Sequence, residues 1–167
     1  MATNLVYVSG ALSDVQSNIR QEYLDFYEAI GNRIEFLGLT AYVPHLHTDP
    51  VRHMHVTPKE VDMIDRMAVT SAILMVAVAD NPSLGVGIEV EMAYHANKSV
   101  VLICRRELIE GRRISRLIRG NPSVVCEIVY DDHSTALDEL EKFIRAFLKI
   151  QTQSILPHVL KTTNKNA

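Results

Sequence analysis

Residues 72–96 read AILMVAVADNPSLGVGIEVEMAYHA, and this stretch decides the fold. Ala72 to Ala79 is an unbroken apolar run, as expected of a strand buried on both faces. Pro82, Ser83, Gly85 and Gly87 make a small-residue turn, and a helical pattern follows through Ala96. A strand, a tight turn and a helix in that order form the unit from which parallel α/β sheets are built. The turn offers free backbone N–H groups and the positive end of a helix dipole, so it can hold an anion or a sugar. Glu89 falls in the first turns of that helix. One potential nucleophile thus stands beside one potential phosphate or hydroxyl cradle.

The same alternation extends in both directions. Leu5 to Val8 is a short strand ending at Ser9-Gly10. From Asp14 to Leu37, apolar residues such as Tyr23, Phe26, Tyr27, Ile30 and Ile34 recur at spacings of three and four. That spacing is the mark of a helix with one buried face. Ser13 is the expected N-cap and Gly38 the expected stop. Leu39 to Val43 is a second strand closed by Pro44, and residues 44–57 show no period, so a long loop is expected there. Thr57-Pro58-Lys59-Glu60 is a capping box opening a helix to about Thr70. Ser99–Cys104 and Val124–Tyr130 are the fourth and fifth strands. Ile114–Ile118 is a short helix ended by Gly120-Asn121-Pro122, and Ser134–Lys149 is the last helix.

The expected fold is therefore α/β: a flavodoxin-like, Rossmann-like, doubly wound five-stranded parallel sheet. Residues 1–150 are expected to form its single domain, and 151–167 a polar tail, partly disordered beyond Leu160. Ligands of such sheets bind outside the carboxyl ends of the strands. Three segments converge on that edge: Tyr7 to Gly10, the His-rich loop, and Ser83 to Glu89.

At 167 residues the chain can bury one sizeable core, and its 22% charged residues match an ordinary globular domain. The net charge of −3 lacks the basic excess that a nucleic-acid partner requires. No apolar run approaches the roughly 20 residues that cross a bilayer, so no membrane partner is expected. No basic-then-apolar leader precedes the first strand. Cys104 and Cys126 read as small buried hydrophobes in a reducing compartment, and a cytoplasmic location is expected.

Several residues could carry chemistry. Glu89 is either a helix-N-terminal acid held by the dipole or a nucleophile, with Gly85 and Gly87 clearing space for a sugar ring. Glu91 lies about 200° further round the same helix and faces elsewhere. Asp62 and Asp65 share a helix face at spacing three. Such a face is either solvated or supplies one member of a carboxylate pair, which glycosidic-bond cleavage uses as nucleophile and acid. In that pair the acid holds a raised pKa and the nucleophile an ordinary one. Tyr7 is either core or a hydrogen-bonding support for a carboxylate. His45, His47, His53 and His55 crowd into the long loop with Asp49. They could hold a metal, contact a base, or form an exposed polar loop, and they match no structural zinc signature. Arg105, Arg106, Arg112, Arg113, Arg116 and Arg119 follow the fourth strand, either balancing acidic helices or drawing an anion to a subunit edge.

The run PSLGVGIE at 82–89 resembles the signature of the nucleoside 2-deoxyribosyltransferase superfamily. It is closest to the branch of (2′-deoxy)nucleoside 5′-monophosphate N-glycosidases and CMP hydrolases. Three more segments carry the resemblance, which spans about residues 4–130. Val6 to Gly10 resembles the family's opening strand. Asp65, eighteen residues before Ser83, falls where the family keeps a catalytic Asp. Gly111 to Gly120 resembles the segment whose Ser reaches the phosphate in a partner subunit's site. The resemblance implies that Glu89 attacks the anomeric carbon, Asp65 protonates or steers the base, and Tyr7 positions Glu89. It implies phosphate contacts from Ser83, from the backbone around Gly85 and from Ser115 of a second subunit. Ser9, Gly10 and Gly87 at the same edge are further candidate substrate contacts, as is His45 in the loop, which matches nothing in the family and is expected to set base preference. Ser83 in place of the Asp of the transferases favours a phosphorylated substrate, because a hydroxyl donates to phosphate where a carboxylate repels it. Ser13 stands where the hydrolase branch has a phosphate-clamping Arg, which leaves Arg20 or the Arg112–Arg119 group as substitutes. Glu91 replaces the family's small residue two after the Glu.

The expected function is cofactor-free hydrolysis of a nucleoside 5′-monophosphate to base and (deoxy)ribose 5-phosphate, through a glycosyl-enzyme on Glu89, by a homodimer or higher homo-oligomer. The alternatives are base exchange by a deoxyribosyltransferase and a non-catalytic nucleotide-binding domain.

Overall fold

The computed structural model describes residues 4–13 and 15–163, with side chains through Gln151. Among these, strands β1 (Leu5–Ser9), β2 (Thr40–Tyr42), β3 (Leu74–Val78), β4 (Ser99–Arg105) and β5 (Val124–Tyr130) form one parallel sheet. Its order, β2-β1-β3-β4-β5, is the flavodoxin-like order expected from the alternation. Helices α1 (Ser17–Phe36) and α7 (His133–Thr163) cover one face. Helices α3 (Pro58–Ser71) and α4 (Leu84–His95) cover the other. Short helices α2 (His45–Thr48), α5 (Arg106–Glu110) and α6 (Arg116–Arg119) lie at the connections.

The two-residue period of the strands sorts the core. Val6, Val8, Leu74, Val76 and Val78 pack toward α1 and α7. Tyr7, Met75 and Ala77 pack toward α3 and α4, as does Tyr42. Tyr42 is the register partner of Tyr7 on the neighbouring strand. The side of the sheet that receives α4 therefore also receives two tyrosines.

Local signals account for most boundaries. The capping box at Thr57 is formed on both sides, the Thr57 hydroxyl accepting from the Glu60 N–H and the Glu60 carboxylate from the Thr57 N–H. Gly38 takes φ +79°, and the Gly38 and Leu39 N–H groups return to Glu35 and Ile34. This left-handed closure ends α1 and is available to glycine without a Cβ clash.

Four expectations are corrected. Ser13 is not the N-cap of α1: Gln16 is, because the Ile19 and Arg20 N–H groups close the first turn on its carbonyl. Asp14, the expected helix start, lies outside the described residues. Residues 44–57 are not without structure, since α2 forms a helical turn closed on Pro44. The same loop is pinned by Asp49, which accepts from Val51 N–H, Arg52 N–H and Arg20. Helix α5 was not expected, being too short to display a period. Helix α7 continues to Thr163, past both Lys149 and the expected tail boundary at 150. Residues 164–167 of the tail lie outside the described residues. Cys104 and Cys126 are free thiols. Among the described residues no helix is long and apolar enough to cross a membrane.

Candidate active site

Strand parity and one helix start build the site. Tyr7 and Ser9 alternate onto the same face at the carboxyl end of β1, beneath the second turn of α4. There Tyr7 Oη donates to Glu89 Oε1 at 2.7 Å, and Ser9 Oγ donates to Glu89 Oε2. Each carboxylate oxygen of Glu89 thus has its own hydroxyl. Asp65, 8% exposed, enters from α3 and accepts a hydrogen bond from Tyr42 Oη at 3.2 Å. The Tyr7 and Tyr42 rings stack with centroids 5.5 Å apart. Glu89 and Asp65 line one cleft of about 840 Å³, together with Gly10, Ser13, Ser83 and Gly85.

The electrostatics depart from the expectation of one ordinary and one raised carboxylate, because both are raised. Burial lifts Glu89 to about 7, against the pull of the Ser9 and Tyr7 hydrogen bonds, and the negative charge of Asp65 adds to the rise. Burial lifts Asp65 to about 6, with Tyr42 opposing and Asp62 reinforcing. Burial and the Glu89 charge push the Tyr7 phenol up, so it stays protonated as a donor.

The α4 N-terminus forms the floor. Ser83 is its N-cap, its Oγ accepting from Val86 N–H at 3.3 Å, and Gly87 N–H closes on the Ser83 carbonyl. The first-turn N–H groups of Leu84 and Gly85 point out of the helix without an intrahelical acceptor. A Cβ on Gly85 or Gly87 would meet no protein atom closer than 3.6 Å, so packing does not demand these glycines. Gly10 differs: a Cβ there would sit 2.3 Å from the Tyr27 ring, so this glycine is needed for close packing. Behind the turn, buried Asp80 accepts from the Tyr130 and Tyr23 hydroxyls and the Arg105 N–H, tying β3 to β4, β5 and α1.

Seven of the ten catalytic and substrate-contact residues named from the sequence converge on Glu89 or on the cleft: Glu89, Asp65, Tyr7, Ser9, Gly10, Ser83 and Gly85. Gly87 and Ser115 instead line an adjoining hollow of about 670 Å³, with Arg113 and with Ser83 shared between the two. His45 is 1% exposed, pairs with Glu28 at 3.0 Å and is not in the cleft wall, where His53 stands instead. Arg20 is engaged by Asp49, Arg106 by Asp131, and Arg119 by Glu127. Among the described residues no group of three or more His, Cys, Asp or Glu is arranged to hold a metal ion. Tyr42 was not singled out from the sequence; its signal is the tyrosine at the matching position of the neighbouring strand.

No protein-family model matches the chain, and no curated protein matches it. Solved structures do. CMP N-glycosidase BcmB of Clostridium botulinum superposes with a TM-score of 0.63 at 18% identity, over 83% of this chain and 98% of that one. BlsM superposes at 0.64 and 22% identity, over 87% and 91%. A 2-deoxyribosyltransferase from Leishmania mexicana superposes at 0.54 and 11% identity, over 83% and 97%. At these identities the likeness is one of architecture: this chain shares its fold, over nearly the whole length of each, with an N-glycosidase and a deoxyribosyltransferase.

Proposed function

We propose that the protein is an N-glycosidase of the nucleoside 2-deoxyribosyltransferase superfamily that hydrolyses a nucleoside 5′-monophosphate. The observation that carries this reading is Glu89, with a hydroxyl on each carboxylate oxygen and Asp65 beside it in one cleft. In the first step Glu89 attacks the anomeric carbon and the C1′–N bond breaks toward the base, which takes its proton from Asp65. In the second, water attacks the glycosyl-enzyme, gives its proton to Asp65 and frees Glu89. Tyr7 and Ser9 hold Glu89 in line throughout. The Ser83 hydroxyl and the free N–H groups of Leu84 and Gly85 would receive the 5′-phosphate. No cofactor is needed.

A homo-oligomer fits the exposed apolar residues Leu84, Ile88 and Leu117, which share the hollow with Ser115. A second subunit seated there would carry its own Ser115 to this site, and sedimentation against dilution tests the assembly. The two free thiols fit a reducing compartment, and we place the protein in the cytoplasm.

Incubation with a panel of ribo- and deoxyribonucleoside 5′-monophosphates tests the activity. Free base and sugar phosphate should accumulate with wild type and not with Glu89→Gln. Equal turnover by both proteins would sink the mechanism. The fold shared with a deoxyribosyltransferase keeps base exchange as a second reading, which requires that release stop when no acceptor base is present.

A further inference from the structure

We propose that Tyr42 is a positioning residue for Asp65, its hydroxyl fixing the direction in which that carboxyl group faces the substrate's base. The inference rests on the glycosidase reading above and adds to it a residue outside the Tyr7–Glu89 pair. Tyr7 and Tyr42 are register partners on adjacent parallel strands, so parity gives them the same face of the sheet. Their rings stack at 15°, and each hydroxyl goes to a different carboxylate, Tyr7 to Glu89 and Tyr42 to Asp65. His47, from α2, stacks on Tyr42 at 4.9 Å and 15°. Tyr42 is thus held by ring contacts with both Tyr7 and His47. A tyrosine has only two side-chain torsions, so a packed ring delivers its hydroxyl to one place.

An acid that protonates a departing base must present its proton along the base's lone pair. The groups facing Asp65 are Tyr42 from β2, Tyr7 from β1, Glu89 from α4 and Asp62 on α3 itself, with His53 in the same cleft wall. Asp62 is an acceptor, paired with Arg66 at 2.7 Å, and among the described residues the hydrogen bond donated to Asp65 comes from Tyr42. That donor favours the ionised carboxylate and opposes the rise that burial imposes. Removing it should raise the pKa of Asp65 and free its rotamer.

Tyr42→Phe keeps the ring stack and removes the hydroxyl. Three results are expected. Carboxylate NMR of the free protein should show Asp65 titrating above its wild-type value. On ordinary nucleotides kcat should fall about tenfold with KM little changed, part of the 10²–10⁴-fold that a positioned acid contributes. The fall should vanish on an N7-methylpurine nucleotide, whose base leaves neutral without a proton, and in the Asp65→Asn background, where there is no acid to position. An undiminished kcat, an unmoved titration, or a loss that persists in both controls overturns the role of Tyr42. A wild type inert toward every nucleotide overturns the glycosidase reading instead, whatever the Asp65 titration shows.

Discussion

Glu89 and Asp65 titrate as a pair, and their environments set which of them holds the shared proton. With Glu89 near 7 and Asp65 near 6, the singly protonated pair dominates between those values. On the proposed reading the productive form carries the proton on Asp65 and leaves Glu89 ionised. The profile of kcat/KM against pH should therefore be bell-shaped, with apparent limbs belonging to the pair. Tyr7 acts on the alkaline limb, because Glu89 holds the higher of the two values. Its hydroxyl stabilises the Glu89 carboxylate, so Tyr7→Phe should push Glu89 further up, move the alkaline limb to higher pH and thin the population with Glu89 ionised. Losing a hydrogen bond to a charged group costs about 1.5–3 kcal/mol, so kcat/KM at pH 7 should fall at least about tenfold. A fall with no movement of the limb would assign Tyr7 to packing alone. Tyr7 and Glu89 were legible because each closes a recognisable pattern. Tyr42 was not, because its meaning depends on a register that only the folded sheet supplies.

At the scale of the element, α4 carries two duties at its first residue. Ser83 caps the helix and lines the cleft. Substitution separates the two. Asp caps about as well as Ser, whereas Ala lacks the acceptor and costs about 0.5–2 kcal/mol. Ser83→Asp should therefore keep the melting temperature of wild type, and Ser83→Ala should lower it. The order should reverse for substrate: Ser83→Asp sets a carboxylate against the 5′-phosphate and should raise KM for nucleotides more than Ser83→Ala does. Parallel melts and initial rates with a nucleotide and its unphosphorylated nucleoside check this. If Ser83→Asp raises KM equally for both, the phosphate is not read at this turn. An element opened by a two-sided capping box, such as α3 behind Thr57, was legible at its start. The start of α1 was not, because Ser13 has the right chemistry for a cap while the first turn closes three residues later, on Gln16. A four-residue helix such as α2 is too short to display a period at all.

Over the whole molecule, the topology gathers Tyr7, Asp65 and Glu89 from three elements onto one edge, and this was legible because parallel α/β sheets bind at their carboxyl ends. Which histidine of the loop reaches the cleft was not legible. It depends on how Asp49 and Arg20 fold the loop back, which buries His45 and brings His53 forward. Bringing two carboxylates together in a partly dry cleft has a consequence for the stability of the entire fold. Glu89 is held at about 7 against an ordinary 4.5, and Asp65 at about 6 against 3.8. From pH 4 up to about 7, the folded chain keeps protons that the unfolded chain has lost. The contribution of the pair to stability therefore falls as pH rises through that window and levels off above it. Glu89→Gln removes the larger share. Relative to wild type, the variant should gain about 1–3 kcal/mol between pH 5 and pH 8, allowing for solvent screening in the cleft. Urea unfolding of both proteins at the two pH values measures the difference, and subtraction cancels the groups outside the pair. Equal pH dependence in the two proteins would mean that Glu89 is already ionised in the folded state at pH 5. The raised pair, and the shape of the rate profile derived from it, would then be wrong together.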